Sequence, residues 1–421
     1  MAEIIELYGL SYIFFLVILF LLFKRFLYSL LDPHIFVIQL FAASLAFSVD
    51  SSIIYYLLAA IAAFWCGMMI VLPTVKHLST PVQLDKIVDL PLLRTYSILL
   101  FVIYVFANFI LYRTSPIPLF ADTPTESKAA ISSSGMGWIK RIIYISSFLP
   151  VCFSLLILFS SKKKIYIVLL VLYMLISVLL GAKSSFIHII FLFSFLYTRK
   201  SFSECGNEAI FSWIRRLFPY MLILVIFVFL FIVLKESESE GGDSLLSVGY
   251  RLMAAGDVML YYKFDWIRNG FLHYNVFDFI SDELNGITGM FRLTSYNEPI
   301  GYLLVKEYLG DDLDTILGPN APFFIKGHIY FGGVGGVFFS FFTGYIYAWI
   351  RKKVFLMRVS NLFVYAVWLN IFFLLINYLK ESGMFLSRMF DFFLLSLPLI
   401  FISNLIIKYK RKTNETKSRF V

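Results

Sequence analysis

Apolar runs close to the length of a bilayer crossing recur along the whole chain. They lie at 4–23, 33–49, 53–72, 92–112, 142–160, 165–180, 184–197, 217–234, 329–350, 359–379 and 389–407. A helix of roughly 20 apolar residues matches about 30 Å of hydrocarbon. Inside that hydrocarbon each backbone N–H and C=O must find an internal partner, and continuous helices satisfy this locally. The pattern therefore predicts an all-α polytopic membrane protein with about 11 transmembrane helices. The runs at 165–180 and 184–197 are short and separated by little more than Gly181-Ala182-Lys183, so they read as a tight hairpin or as one broken helix. Of the 421 residues, 60% are hydrophobic and 15% charged, more apolar surface than a water-soluble chain of this size could hide.

The basic residues orient this layout. With the tail "KYKRKTNETKSRF" on the cytoplasmic side, alternate connections hold 22 of the 36 Lys and Arg. The amino terminus then lies outside and the carboxyl terminus inside. No basic n-region precedes the first run, so it is expected to be retained as a span. Residues 1–234 carry the first eight helices with an outside loop at 113–141, 235–328 form one long outside loop, and 329–421 carry the last three helices and the basic tail. The net charge of +9 thus sits largely in cytoplasmic connections, and no nucleic-acid partner is expected. Cys66, Cys152 and Cys205 have neither metal-ligand spacing nor a disulfide framework, and no cofactor or metal is expected.

The 235–328 loop is unusual in length and chemistry. It holds 14 of the 27 acidic residues, seven Lys or Arg, and 15 aromatics. "KESESEGGDS" reads as a solvated linker. Helical spacing follows in "SLLSVGYRLMAAGDVMLYYKFDWIRNG", "VFDFISDEL" and "EPIGYLLVKEYLG", which predicts a small helical layer over the mouth of the bundle. Rings interleaved with acids and amides suit stacking on sugars beside hydrogen bonds to hydroxyls; they equally suit anchoring at the membrane interface. The next stretch, "GPNAPFFIKGHIYFGGVGG" (318–336), delivers Asn320, Lys326 and His328 to one place at the membrane boundary. It reads as a re-entrant or boundary segment lining a polar cavity, with Gly332 and Gly336 giving the following helix a small face for close packing.

Over essentially its full length the chain resembles the Wzy-type O-antigen polymerases. The features that carry the resemblance are the span layout, the dominant late loop, "SPIPLF…K…SGMGW", "GAKSS" and "GPN…G…YFGGVGG". The resemblance implies a GT-C-like glycosyltransferase of the bacterial inner membrane that makes lipopolysaccharide O-antigen. Its donor and acceptor would be undecaprenyl-pyrophosphate-linked oligosaccharides, joined on the periplasmic face, with a chain-length regulator as a further partner. Such a donor is already activated, and fixed cations can stabilise the departing pyrophosphate. The outside cations suited to this are Arg251, Arg292, Lys326, Lys183, Arg113 and Lys128, with Arg251 and Arg292 foremost. Asp257, Glu298 and His328 are the candidate proton acceptors for the attacking hydroxyl. Asn320, Tyr262 and Trp266 are the candidate sugar contacts.

Two other activities fit the same architecture. O-antigen ligases place a His directly before an Asn ahead of G-x-x-G, whereas this chain has Pro319 before Asn320 and its glycines come later. A lipid-linked oligosaccharide flippase needs cations along a central cavity, and these spans carry no Lys or Arg at their middle.

Overall fold

The computed structural model describes residues 2–72, 90–121, 137–161, 165–179, 252–295, 297–310, 319–357, 361–381 and 385–418, together with 127, 189–192, 194, 223, 226, 227, 230, 249 and 250. Among these residues there are helices and no strand. In chain order they are α1 (Ala2–Phe23), α2 (Ile35–Phe47), α3 (Ile53–Val71), α4 (Leu90–Thr114), α5 (Gly137–Ser161), α6 (Ile165–Leu179), α7 (Met259–Tyr262), α8 (Asp265–Gly270), α9 (Val276–Thr288), α10 (Ile300–Leu309), α11 (Phe323–Leu356), α12 (Leu362–Lys380) and α13 (Phe385–Ser418). Seven of them, α1, α3, α4, α5, α11, α12 and α13, are long and apolar enough to cross a bilayer, while α2 and α6 are apolar but shorter. The described residues are therefore all-helical, and the protein is multi-pass. Of the expected spans, 184–197 and 217–234 fall largely outside the described residues.

Side-chain exposure agrees with a lipid solvent. On α1, Leu10, Phe14, Val17 and Leu21 point outward while Tyr8, Tyr12, Leu19 and Phe23 are buried. The same inversion recurs on α11, where Val334, Phe338 and Phe342 are exposed. Contiguous apolar surface on this scale is stable only against hydrocarbon or another protein.

The chain divides into two compact units, one of Met1–Leu78, Glu240–Lys353 and Ile371–Ser387, the other of Ser79–Ser239, Val354–Asn370 and Arg388–Val421. In the second unit α4 packs along α5, which in turn packs on α6. Polar ties between helices punctuate its apolar packing. The Tyr96 and Ser396 hydroxyls lie 2.8 Å apart, and Arg141 pairs with Asp391 at 2.9 Å. Tyr96 also meets Phe153 and Phe363 edge-on.

In the first unit one end is closed by a fully buried ion pair. Arg351 forks onto both oxygens of Asp32 and donates to the Phe26 carbonyl at 2.6 Å. Asp32 also accepts from the Tyr28 and His34 backbone N–H groups at 3.1 and 2.9 Å, so the α1–α2 connection is fixed to α11. A buried charge survives only when it is paired and hydrogen-bonded in this way.

The long loop does not stay above this unit. The Leu252 carbonyl accepts from Tyr12 Oη at 3.4 Å and Gln39 Nε2 at 3.2 Å, while Gly256 abuts the backbone of Ala43 and Ser44. At Lys263 the chain reaches the α2–α3 turn, where Ser51 Oγ donates to its carbonyl at 2.7 Å. Residues 252–263 thus climb beside α2 from Gln39 to its end, starting roughly 12 Å below it. Within the outside layer expected from the sequence, residues 252–263 are therefore sunk beside α2. Tyr12 and Gln39 supply the donors that let a bare carbonyl sit at that depth.

α11 is a hairpin. Gly332 has φ +70° and ψ −176°, a conformation reserved for glycine, and it splits the helix into arms 323–331 and 333–356. A Cβ on Gly327 would lie 3.4 Å from the Gly336 Cα, and the Phe331 and Phe339 rings are 5.2 Å apart. Nine residues of straight helix would separate Gly327 and Gly336 by about 13 Å, so the arms fold back on each other. The short arm begins at Phe323 and Phe324, against Phe41 of α2 and Phe64 of α3. The expected small face at Gly332 and Gly336 is corrected accordingly. Gly332 meets nothing and makes the turn, while Gly336 packs on Gly327 and beneath the Tyr56 hydroxyl.

Candidate functional site

The turn between α2 and α3, the loop segment of α7 and α8, and the short arm of α11 converge at one end of the first unit. A pocket of about 300 Å³ opens there, lined by Asp50, Ser51, Ser52, Lys263, Phe264 and Asp265. Its size is at the lower limit for small-molecule sites.

Lys263 is its central cation. The ammonium donates to Asp50 Oδ2 and to Tyr8 Oη, each at 2.7 Å, and lies over the Tyr8 and Phe264 rings. Burial works against the charged amine, yet Asp50 and Tyr8 outweigh it and hold its pKa above the ordinary value. Burial would likewise raise the Asp50 carboxyl, but Lys263 brings it below its ordinary value. Arg268 stands alongside. It donates to the carbonyls of Tyr262 and Lys263 at 3.2 and 2.6 Å and to Ser52 Oγ at 3.2 Å, and pairs with Asp265. Arg268 therefore shapes the loop that presents Lys263.

An aromatic wall continues from the pocket. Tyr308 stacks on Phe264 and on Trp266, with centroids 5.6 and 5.9 Å apart and planes inclined by 22°. Trp266 is 51% exposed, so part of this wall faces solvent or ligand. Ring faces beside carboxylates, hydroxyls and amines supply the contacts a polyhydroxylated ring requires: stacking, acceptors and donors.

Behind the pocket, Tyr262 is enclosed, and its hydroxyl lies 2.6 Å from His328 Nδ1. The His328 ring meets Tyr56 edge-on at 4.4 Å, and Tyr56 Oη donates to the Phe324 carbonyl at 2.7 Å. This network joins the loop to the short arm of α11. Asp257 lies six residues before Lys263, at the end of the turn that carries Gly256. Its Oδ1 is buried without a hydrogen-bond partner, and burial pushes the carboxyl up to about 7.

The other expected site residues are scattered. Lys326 is buried and paired with Asp282 and, at 3.4 Å, with Glu283 of α9, so its ammonium is committed within the fold. Trp266 joins the aromatic wall, whereas Tyr262 has its ring covered and offers a hydroxyl to His328 rather than a face to a ligand. Asn320 and Glu298 are exposed, as are Arg292, which holds φ +56° after α9, and Arg113 in the last turn of α4. Arg251, Lys183 and Lys128 lie outside the described residues. Lys263 and Arg268 escaped the sequence reading. They lie in the same "YYKFDWIRNG" as Tyr262 and Trp266, and their isolation among rings was the available signal.

Among the described residues no group of three or more His, Cys, Asp or Glu could hold a metal ion. Comparison of the chain with protein-family models, with curated proteins and with solved structures finds no match.

Proposed function

We propose that this protein is an O-antigen polymerase of the Wzy type, a glycosyltransferase of the bacterial inner membrane. It extends a saccharide carried on undecaprenyl pyrophosphate at the periplasmic face. In the reaction a hydroxyl of the incoming lipid-linked repeat attacks the anomeric carbon of the growing chain. The bond from that carbon to the pyrophosphate oxygen breaks, the new glycosidic bond forms, and undecaprenyl pyrophosphate leaves. We assign the proton of the attacking hydroxyl to Asp257, a buried carboxyl on the segment leading up to Lys263, with an unpartnered Oδ1 and a pKa raised to about 7. Lys263, held at the pocket by its ion pair with Asp50, provides an ammonium donor at the reacting end.

The observation that carries this reading is the pocket at Asp50, Ser51, Ser52 and Lys263 with its aromatic wall of Phe264, Trp266 and Tyr308. It combines sugar-type contacts with a cation in a multi-pass protein, as chemistry on a lipid-linked saccharide demands.

The test is lipopolysaccharide from a strain whose chromosomal copy is deleted, complemented with the wild type, Lys263→Ala or Asp257→Asn. The expected result is core bearing a single repeat in the deletion strain and in both variants at equal membrane level. Bare core with lipid-linked polymer would make the protein a ligase instead. Bare core with no periplasmic polymer would make it a flippase.

A further inference from the structure

The charges of α9 are all used inside the protein. Asp278 closes a capping box with Asn275, accepting from the Asn275 backbone N–H at 2.9 Å. Asp282 and Glu283 pair with the buried Lys326. No Lys or Arg occurs between Arg268 and Arg292. What α9 turns outward is a stripe of Phe277, Ile280 and Leu284, at helical spacings of three and four residues, beside exposed Val276. Phe277 is 77% exposed, too open for a core position and too apolar for a solvated one.

The packing of α9 says what covers this stripe. Phe279 sits on Tyr330, Phe331 and Phe339 of α11, with centroids 5.5, 5.1 and 5.5 Å away. One turn further along α9, Asp282 and Glu283 meet Lys326, which lies five residues nearer the deep end of the short arm. α9 therefore descends beside that arm from the level of the Gly332 turn. The arm itself starts against Phe41, within α2. α9 thus lies at the depth of the spans, next to the part of α11 that turns Val334 and Phe338 outward. At 13 residues it is too short to cross.

We infer that α9 is embedded in the leaflet on the side of the α2–α3 turn, with its Phe277–Ile280–Leu284 stripe covered by lipid acyl chains. The segment is a short helix that enters the leaflet beside α11 without crossing it, held by apolar contact and tied to the protein through Lys326. Interfacial helices usually spread basic residues along a polar face toward headgroups; here the polar face is acidic and is satisfied by the protein itself.

Single-cysteine variants Phe277→Cys, Ile280→Cys and Leu284→Cys, made after replacing Cys66, Cys152 and Cys205, would each be spin-labelled in the full-length protein. After reconstitution into phosphatidylethanolamine–phosphatidylglycerol nanodiscs, collision rates with oxygen and with a water-soluble nickel chelate would be measured. Phe338→Cys serves as the lipid-facing reference and the exposed Glu307→Cys as the aqueous one. The expected result is that labels at 277, 280 and 284 collide preferentially with oxygen, as at 338, reversing the preference seen at 307. Preferential collision with the nickel chelate at all three positions would overturn the inference. Shielding from both reagents would also overturn it, by showing that protein covers the stripe. Only variants that remain monodisperse are compared, and the three positions are read independently.

Discussion

Replacing Lys326 with Met separates two roles for one ammonium, binding a ligand and holding α9 against the short arm of α11. The Lys326 side chain is 3% exposed, and those of Asp282 and Glu283 are 16% and 7% exposed, so solvent screening discounts the interaction little. Removing the cation strands two adjacent carboxylates in a site where burial already raises the Glu283 pKa against the opposing pull of Lys326. Breaking a buried ion pair by deleting one partner costs about 3–5 kcal/mol. Lys326→Met is expected to lose stability in that range, read from the midpoint of reversible unfolding in mixed detergent micelles. The triple variant Lys326→Met, Asp282→Asn, Glu283→Gln no longer buries an uncompensated charge and should recover at least half of the loss. That recovery is the coupling a structural pin requires. If Lys326→Met left the midpoint unchanged but abolished polymer, the ammonium would be serving a ligand and the reasoning would fail.

Three further outcomes follow from the geometry. Gly332→Ala should destabilise the hairpin by roughly 1–3 kcal/mol, because φ +70° with ψ −176° is closed to other residues, although the space around it is open; an unchanged unfolding midpoint would refute the turn. The Asp257 carboxyl, raised to about 7 by burial, stays protonated in the folded state at pH values where the unfolded chain has lost its proton. The stability it contributes is therefore full at low pH and falls as pH rises from about 4 toward about 7, and Asp257→Asn should flatten that slope in unfolding measured across this range. For topology, alkaline phosphatase fused after residue 130 or 280 should be active, and fusions after 207 or 356 inactive; activity at 207 would show that the 165–197 region is miscounted.

Much of the architecture was already written in local chemistry. A run such as "IIYYLLAAIAAFWCGMMIV" has no stable form in lipid except a helix, and α3 occupies it from Ile53 to Val71. Periodicity located the amphipathic helices too: "VFDFISDEL" opens α9, and "EPIGYLLVKEYLG" contains α10. These are short-range decisions, settled by hydrogen bonds between residues three and four apart and by which side chains can face hydrocarbon.

What the tertiary structure decided are meetings between segments far apart in sequence. "GHIYFGGVGG" offers several glycines for a turn, but Gly332 turns because Gly327 and Gly336 can approach each other beneath Tyr56 of α3. Lys326 looked like an unattached cation until α9 brought Asp282 and Glu283 to it across more than 40 residues. Lys263 was one basic residue among many until the loop sank beside α2 and set it against Asp50, 213 positions earlier. A cation's role depends on which carboxylate reaches it and how much water remains. Local sequence encodes neither, since both are set by how the helices pack.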